Sequence, residues 1–223
     1  MIIAIDGPAA TGKSSTAKAV AEELSFTYLD TGAMYRAVTL AVLEKNISLT
    51  HDYDIKSFLA SLDLNILYLE ETLVIELDQV DVTKHIRDPK VTAKVSEVSA
   101  LPAVRKAMVK FQRKLASDKD CIVEGRDIGT VVFPNADLKF YMIADSRIRA
   151  ERRKKDLLNL GKNKDIGELE TEIKSRDRKD STRVHSPLSK AEDSIIIDTS
   201  HLDFREQVNM IVEKIKTEQK GKT

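Results

Sequence analysis

The sequence has no net charge, a single cysteine and no long apolar run, and each of these shortages excludes a class of protein. Its 36 basic and 36 acidic residues cancel, so the overall charge provides no long-range attraction to nucleic acid or to an anionic membrane. No apolar run reaches the ~18 residues of a membrane-spanning helix, and the first predicted strand starts at Met1, where a signal peptide would stand. We therefore expect a cytoplasmic protein that binds neither nucleic acid nor membrane.

Residues that commonly bind metals or act as nucleophiles are also scarce. Cys121 lies in the apolar run Cys121–Val123, which favours a buried thiol over a metal ligand or a nucleophile. The four histidines are scattered along the chain without zinc-site spacing. With 223 residues, the chain can form one substantial α/β core with an embellishment.

The first fifteen residues carry the motif around which the rest is organised. Met1–Ile5 predicts a buried strand, Gly7–Ser14 matches the phosphate-binding pattern GxxxxGK[ST], and Lys13–Leu24 predicts an amphipathic helix. The glycines allow backbone N–H groups to turn towards a phosphate, while Lys13 adds a cation and the Ser14 hydroxyl can bind Mg²⁺. The residues expected to bind ATP here are Gly7, Pro8, Ala9, Ala10, Thr11, Gly12, Lys13, Ser14 and Ser15.

Four further apolar segments predict the remaining strands of a parallel sheet with helices between them. These strands are Phe26–Asp30, Cys121–Glu124, Leu138–Ile143 and Ser194–Asp198. The predicted helices run from Gly32 to about Leu43, from Asp88-Pro89, after Pro102, and over the apolar positions between Phe204 and Ile215. The pattern indicates an α/β fold with a five-stranded parallel sheet flanked by helices.

An antiparallel meander interrupts this pattern. Apolar residues alternate with other residues along Leu62–Tyr68 and again along Leu73–Leu77. A third short segment follows at Gln79–Val82. Since a parallel sheet needs no meander at this point, we predict an insertion at 59–100 on a core of 1–58 and 101–223. The alternative is that these strands extend the main sheet.

Charged residues follow the predicted strands. Glu124 ends a strand downstream of the phosphate loop, which makes it a candidate for organising Mg²⁺. Arg176, Asp180 and Arg183 stand at i, i+4 and i+7, so they are predicted to share a helix face. Basic residues are crowded between Arg147 and Arg183, and the alternative interpretation is that many of them form a solvated helix face. For Arg36, the alternative is a solvated position on the surface.

With these pieces placed, the chain resembles the nucleoside monophosphate kinases, and among them the bacterial cytidylate kinases. The matching segments are IDGPAATGKSS, LDTGAMYRA, VSEVSALPAVRKAM, VEGRDIGTVVFPNA and IKSRDRKDSTR. The first is common to many nucleotide-using proteins, whereas DTGAMYR and GRDIGTVVFP together are much more specific. The meander resembles the enlarged monophosphate-binding insertion of that family.

The resemblance implies a role for each matching residue. Arg36, Arg126 and Arg183 match residues that hold the acceptor phosphate, and Ser96, Arg105 and Asp127 match those that recognise cytosine. Arg176 and Asp180 match residues at the acceptor sugar and the reacting phosphates. Arg149, Arg152 and Arg153 resemble the basic mobile lid over ATP, at about 147–163. Thr31, in the acceptor site, stands where a serine often occurs, and Glu124 stands where an aspartate can.

The resemblance implies that Mg²⁺-ATP phosphorylates CMP or dCMP, with Lys13, Arg126, Arg176 and Arg183 as the catalytic residues. We expect a monomer. A kinase of another small acceptor, such as a different nucleotide or a polyol, is the second interpretation. A GTP-dependent switch or an RNA-binding module is the third, but the aspartate of Asn163-Lys164-Asp165 lies one place too early for NKxD, and an aromatic-rich RNA-binding strand is lacking.

Overall fold

The fold is described from a computed structural model, for residues 1–69, 72–159 and 161–221. The strands are β1 (Ile2–Asp6), β2 (Thr27–Asp30), β3 (Leu64–Leu69), β4 (Thr72–Leu77), β5 (Val80–Asp81), β6 (Cys121–Gly125), β7 (Leu138–Ile143) and β8 (Ile195–Asp198). The helices are α1 (Lys13–Leu24), α2 (Thr31–Glu44), α3 (Asp52–Ser61), α4 (Pro89–Val98), α5 (Pro102–Leu115), α6 (Ser146–Asn159), α7 (Ile166–Thr182) and α8 (Phe204–Gly221). The chain forms two compact units, one of Met1–Asp30 with Leu115–Thr223 and one of Thr31–Lys114.

The first unit is built on the predicted five-stranded parallel sheet, in the order β2-β6-β1-β7-β8. Its central strands are apolar and buried on both faces, as expected for a sheet covered by helices. Helices α1 and α8 pack together, and their apolar faces join the sheet in one core, in which Ile3, Phe140 and Ile211 are almost fully buried. Parallel alignment brings the carboxyl ends of β1 and β6 side by side, with Asp6 opposite Gly125.

The second unit contains a separate antiparallel sheet, in the order β3-β4-β5. The meander therefore forms its own sheet, and the alternative that it extends the main sheet is wrong. The predicted insertion, 59–100, lies within this unit. Helix α2 packs against α4 and against the 3₁₀ turn His85–Arg87, and Met34, Val38 and Val91 are completely buried.

Three local features differ from the sequence predictions. Helix α3 was not predicted, although its buried Ile55 and Phe58 are three residues apart, a helical spacing. Asp88 stands before α4 as predicted, but its side chain makes no capping hydrogen bond among the described residues. Helix α7 ends at Thr182, so Arg183 adopts extended backbone angles and does not share the helix face of Arg176 and Asp180.

The predicted lid segment, 147–163, contains most of α6 and the start of the connection to α7. Leu160 lies outside the described residues. Helices α6 and α7 pack against each other around Ala150, Leu169 and Ile173. Among the described residues, none of the helices combines the length and the apolar character needed to cross a membrane.

Candidate active site

The predicted phosphate loop leaves the carboxyl end of β1 and enters α1. Gly7 has φ 148°, and a Cβ there would lie 2.1 Å from the carbonyl oxygen of Met142, so the position requires glycine. Gly12 has φ 91° and caps α1. Ser15 donates to the Gly12 carbonyl over 3.1 Å. The helix N-terminus therefore opens directly onto the loop, where its dipole favours an anion.

Lys13 is buried beneath the loop, with 5% of the residue exposed. Its ammonium group donates to the carbonyl oxygen of Pro8 over 2.7 Å, which holds it inside the loop. Burial and the neighbouring Arg126 lower its pKa to about 7, against the opposing effect of Glu124. Because burial and a neighbouring cation disfavour the charged ammonium group, an anion that binds beside it stabilises that charge.

Glu124 is the penultimate residue of β6 and lies next to Asp30, the last residue of β2, in the strand register. Burial raises the pKa of Glu124 and Asp30 raises it further, while Lys13 and hydrogen bonds from Ser14 and Tyr28 act in the opposite direction. The Tyr28 hydroxyl donates over 2.6 Å. Within the described ranges, no three His, Cys, Asp or Glu side chains form a metal-binding group, so an ion here would need further oxygen ligands from a bound nucleotide or water.

Asp6, at the end of β1, ties the phosphate loop to the segment that carries Arg126 and Asp127. Its carboxylate accepts from the backbone N–H groups of Ile128 over 2.8 Å and Gly129 over 2.7 Å. Those residues begin a π-helical turn, Ile128–Val132. Burial raises the pKa of Asp6 to about 6, although both hydrogen bonds lower it.

An arginine cluster lies beside these strand ends. Asp180 is buried and accepts from the Nε of Arg126 over 3.2 Å, and the Nε of Arg176 lies 3.9 Å from the same carboxylate. The Arg176 Nε is buried without a hydrogen-bond acceptor among the described residues. Burial and the charge of Arg126 lower the pKa of Arg176 to about 10. One carboxylate thus faces two guanidinium groups, which leaves net positive charge for an anion to neutralise.

Asp127 is buried, and its carboxylate lies 3.6 Å from the Nη2 of Arg183. The Arg183 Nε donates to the backbone carbonyl of Ser186, which holds the guanidinium group after α7 has ended. Arg126, Asp127, Arg176, Asp180 and Arg183 all belong to the first unit, together with the phosphate loop.

The other predicted acceptor-site residues belong to the second unit. Arg36 is half-buried and donates to the Thr92 hydroxyl over 2.8 Å, so the interpretation as a solvated surface residue is wrong. Arg105 is buried, with its guanidinium carbon 5.3 Å from the centre of the Tyr35 ring. Thr31, the first residue of α2, is also buried, and Ser96 lies half-buried on α4.

Two of the three predicted lid arginines are engaged by protein groups. Arg149 is buried and donates to the Ala9 carbonyl over 3.1 Å and to the Asp177 carboxylate. Arg152 donates to Thr199 through the hydroxyl over 2.9 Å and the carbonyl over 2.6 Å. Arg153 is close enough to Arg176 for its charge to lower the Arg176 pKa.

Sequence reasoning did not identify Asp6, Asp177 or Thr199. Asp6 ends an apolar strand as Glu124 does, and the same argument could have identified it. Asp177 and Thr199 make their contacts with Ala9 and Thr11, residues remote from them in the chain. No local spacing could have indicated those contacts.

Comparisons with known proteins identify relatives of this chain. The family model described as cytidylate kinase matches residues 3–217. The chain is 47% identical over 215 residues to a cytidylate kinase of Carboxydothermus hydrogenoformans, covering 96% of this chain and 97% of that protein. It is also 47% identical over 215 residues to a cytidylate kinase of Acholeplasma laidlawii, covering 96% and 95%. The crystal structure of an uncharacterized protein from Eubacterium ventriosum shares the fold, with a TM-score of 0.55, 17% identity and coverage of 97% and 98%.

Proposed function

Since this chain belongs to the cytidylate kinase family of phosphotransferases, we propose that it transfers the γ-phosphoryl group of ATP to CMP or dCMP. The products are ADP and CDP or dCDP. The proposal rests on the family membership and on the charge pattern around the phosphate loop. Its partners are ATP and the acceptor nucleotide. We also propose that the protein is a monomer and acts in the cytoplasm.

The observation that carries the proposal is the crowding of cations beside the phosphate loop. Arg126 and Arg176 each lower the pKa of Lys13, and Arg126 lowers the pKa of Arg176. Such mutual repulsion costs stability unless a polyanion relieves it. Two nucleotides that meet at their phosphates supply this charge, whereas an uncharged polyol supplies only part of it.

Phosphoryl transfer requires little covalent chemistry from the protein. The acceptor phosphate is already an anionic nucleophile, so direct in-line transfer needs no enzyme intermediate. The protein must bring two polyanions together and stabilise the charge on the transferred group. Guanidinium groups suit this task because they stay charged and offer paired donors.

We assign the phosphate loop, residues 7–15, to the ATP phosphates, with Lys13 as the cation at the transferred group. Arg126, Arg176 and Arg183 join Lys13 as catalytic residues. Arg36, Arg126 and Arg183 take the acceptor phosphate, with Thr31, Arg176 and Asp180 also in the acceptor site. Ser96, Arg105 and Asp127 read cytosine. Arg149, Arg152 and Arg153 belong to the ATP side, and closure of the segment 147–163 would exclude water.

Mg²⁺ fits the oxygen donors at the strand ends. The Ser14 hydroxyl and the Glu124 carboxylate are hydrogen-bonded to each other, and such oxygen donors suit this ion, which keeps several water ligands and takes others from the nucleotide. When bound, Mg²⁺ would supply charge neutralisation at the ATP phosphates. Glu124 has a longer side chain than aspartate and would hold the ion either directly or through a bound water.

A substrate panel tests the function directly. Turnover of Mg²⁺-ATP with CMP, dCMP, UMP, AMP and GMP should give the highest kcat/KM for a cytidine monophosphate. A clear preference for another acceptor would replace the proposed substrate. Binding of RNA, measured in parallel, with no turnover of any nucleotide would favour the RNA-binding interpretation.

A further inference from the structure

The peptide groups of Ala9 in the phosphate loop are held on both sides by α6 and α7. The Ala9 N–H donates to Oδ1 of Asp177 over 3.0 Å, and the Ala9 carbonyl accepts from Nη1 of Arg149 over 3.1 Å. Arg149 and Asp177 also form an ion pair through Oδ2, with side chains 9% and 17% exposed. The three residues therefore form a closed set of contacts, the Ala9 clamp.

The next residue in the loop explains why such a clamp is needed. Ala10 has φ 59°, in the left-handed region, which is unfavourable for a residue other than glycine. Such a conformation persists only where the surrounding structure holds it. Ala10 packs against the apolar cluster of Ala150, Leu169 and Ile173 between α6 and α7. The same two helices thus hold Ala9 by polar contacts and Ala10 by apolar contacts.

We propose that Asp177 is a positioning residue for ATP binding, which acts by holding the phosphate loop in its binding conformation through Ala9 and Arg149. The inference rests on the proposed function only in taking ATP as the ligand of this loop. Asp177 touches the loop backbone, and its effect reaches the ATP phosphates through the orientation of the following N–H groups.

The position of Arg149 follows from the same contacts. Its guanidinium group is held by Asp177 and the Ala9 carbonyl, and the side chain is buried. Arg149 therefore supports ATP binding by helping to hold the phosphate loop in its orientation. The phosphate loop is thus held by contacts with both α6 and α7. A change in the packing of these helices therefore alters the affinity of the loop for phosphate.

The test measures the affinity of the full chain for Mg²⁺-ATP by calorimetry without an acceptor. Asp177→Asn keeps the volume and an acceptor for the Ala9 N–H but removes the charge that pairs with Arg149. We expect ATP to bind about tenfold more weakly, because a charge-assisted contact is lost. Glu172, on the same helix as Asp177, provides the matched control: Glu172→Gln breaks a solvent-accessible ion pair with Lys164, which precedes the helix, and its ATP affinity should stay within about twofold of the original.

A double-mutant cycle separates positioning from direct contact with ATP. If Arg149 and Asp177 act together, the losses of Arg149→Met and Asp177→Asn are less than additive in the double variant. Fully additive losses would overturn the proposal. Ala10→Gly should restore part of the ATP affinity lost in Asp177→Asn, because glycine adopts a positive φ without strain. A merely structural ion pair predicts no such rescue.

The outcomes also distinguish the inference from the proposed function. A wild-type chain that binds no Mg²⁺-ATP would overturn both. ATP binding by the wild type with an unchanged affinity in Asp177→Asn would overturn the inference alone. If Asp177→Asn does not fold, Asp177→Glu replaces it: the charge is kept and the carboxylate is displaced, so weaker ATP binding at an unchanged Tm supports positioning, and unchanged binding contradicts it.

Discussion

Two groups of charged residues in the first unit differ in the contacts that they make: one lies at the strand ends, and the other joins α6 and α7 to the phosphate loop. The strand-end charges, Asp6, Lys13, Glu124 and the neighbouring Arg126 and Arg176, include four whose pKa values are displaced by burial. The helix-pair charges, Arg149, Arg152 and Asp177, make hydrogen bonds to the backbone of the phosphate loop or to residues beside it, although burial also lowers the pKa of Arg152.

The difference separates two uses of the same side chains. Arg176 and Arg149 each have a buried Nε without an acceptor among the described residues, but Arg149 and Arg152 donate through their other nitrogens to backbone carbonyls of the phosphate loop. Charges that repel one another are arranged for a ligand that carries the opposite charge. Charges that donate to or accept from the loop backbone hold the loop to which that ligand binds.

The largest expected effect is at Lys13, because it belongs to the strand-end charges and lies inside the loop. Lys13→Ala should lower kcat by about 10²- to 10³-fold, since a preorganised cation at the transferred phosphate is lost. Steady-state kinetics with CMP measures the loss, and circular dichroism checks the fold. Lys18→Ala, an exposed lysine on the same helix, is the control. Near-normal turnover of Lys13→Ala would remove Lys13 from catalysis.

Asp6 should make stability depend on pH in a defined direction. Its pKa is 3.8 when unperturbed and about 6 in the fold, so the folded protein binds more protons between these values. The free energy of unfolding should therefore fall by about 2 to 3 kcal/mol as the pH rises from about 4 to 6, and this loss should persist above pH 6. Denaturant unfolding across this range should show a flatter profile for Asp6→Asn, and parallel profiles would contradict the assignment.

Each of the arginines assigned to the acceptor phosphate should matter for CMP. Arg36→Ala, Arg126→Ala and Arg183→Ala should each reduce kcat/KM for CMP by an equivalent of about 2 kcal/mol, because a partly desolvated phosphate loses a charged donor. Arg178→Ala, an exposed position on α7, should have little effect. If the loss is confined to ATP affinity, these residues belong to the donor side.

Asp127 should control the choice of base. A carboxylate accepts from the exocyclic amine of cytosine, whereas uracil presents a carbonyl at that place. Asp127→Ala should therefore lower kcat/KM for CMP more than for UMP and narrow the preference by about tenfold, equivalent to about 1 to 2 kcal/mol. The ion pair with Arg183 offers a purely structural alternative, which predicts equal proportional losses for the two nucleotides.

The smallest of these effects is expected among the helix-pair charges and concerns stability. Arg152→Met should lower the free energy of unfolding by about 1 kcal/mol, because three hydrogen bonds to Thr199 and Thr11 are lost. Arg153→Met provides the comparison, since the described residues show no such set of bonds for Arg153. An equal loss in both variants, measured in denaturant, would end the distinction between them.

Local patterns predicted most of the first unit. Apolar runs placed the strands of the main sheet, and the glycine spacing with Lys13 placed the phosphate loop, because strand burial and loop geometry each depend on neighbouring residues. The alternation at 62–82 correctly indicated an antiparallel sheet. Helix α3 was missed because its two buried apolar residues, Ile55 and Phe58, form too short a stripe to predict a helix of ten residues.

Local sequence patterns were enough to predict that a strand, a phosphate loop and a helix follow one another, and that acidic residues end strands of the sheet. Which charged groups lie next to each other depends on the tertiary structure. Asp180 forms an ion pair with Arg126, which lies on another element, and Asp177 accepts a hydrogen bond from the Ala9 N–H. Arg183 lies beside Asp127 because α7 ends before it. These contacts join residues far apart in the chain, and the burial that displaces the pKa values of Asp6 and Lys13 exists only once the sheet and its helices have packed.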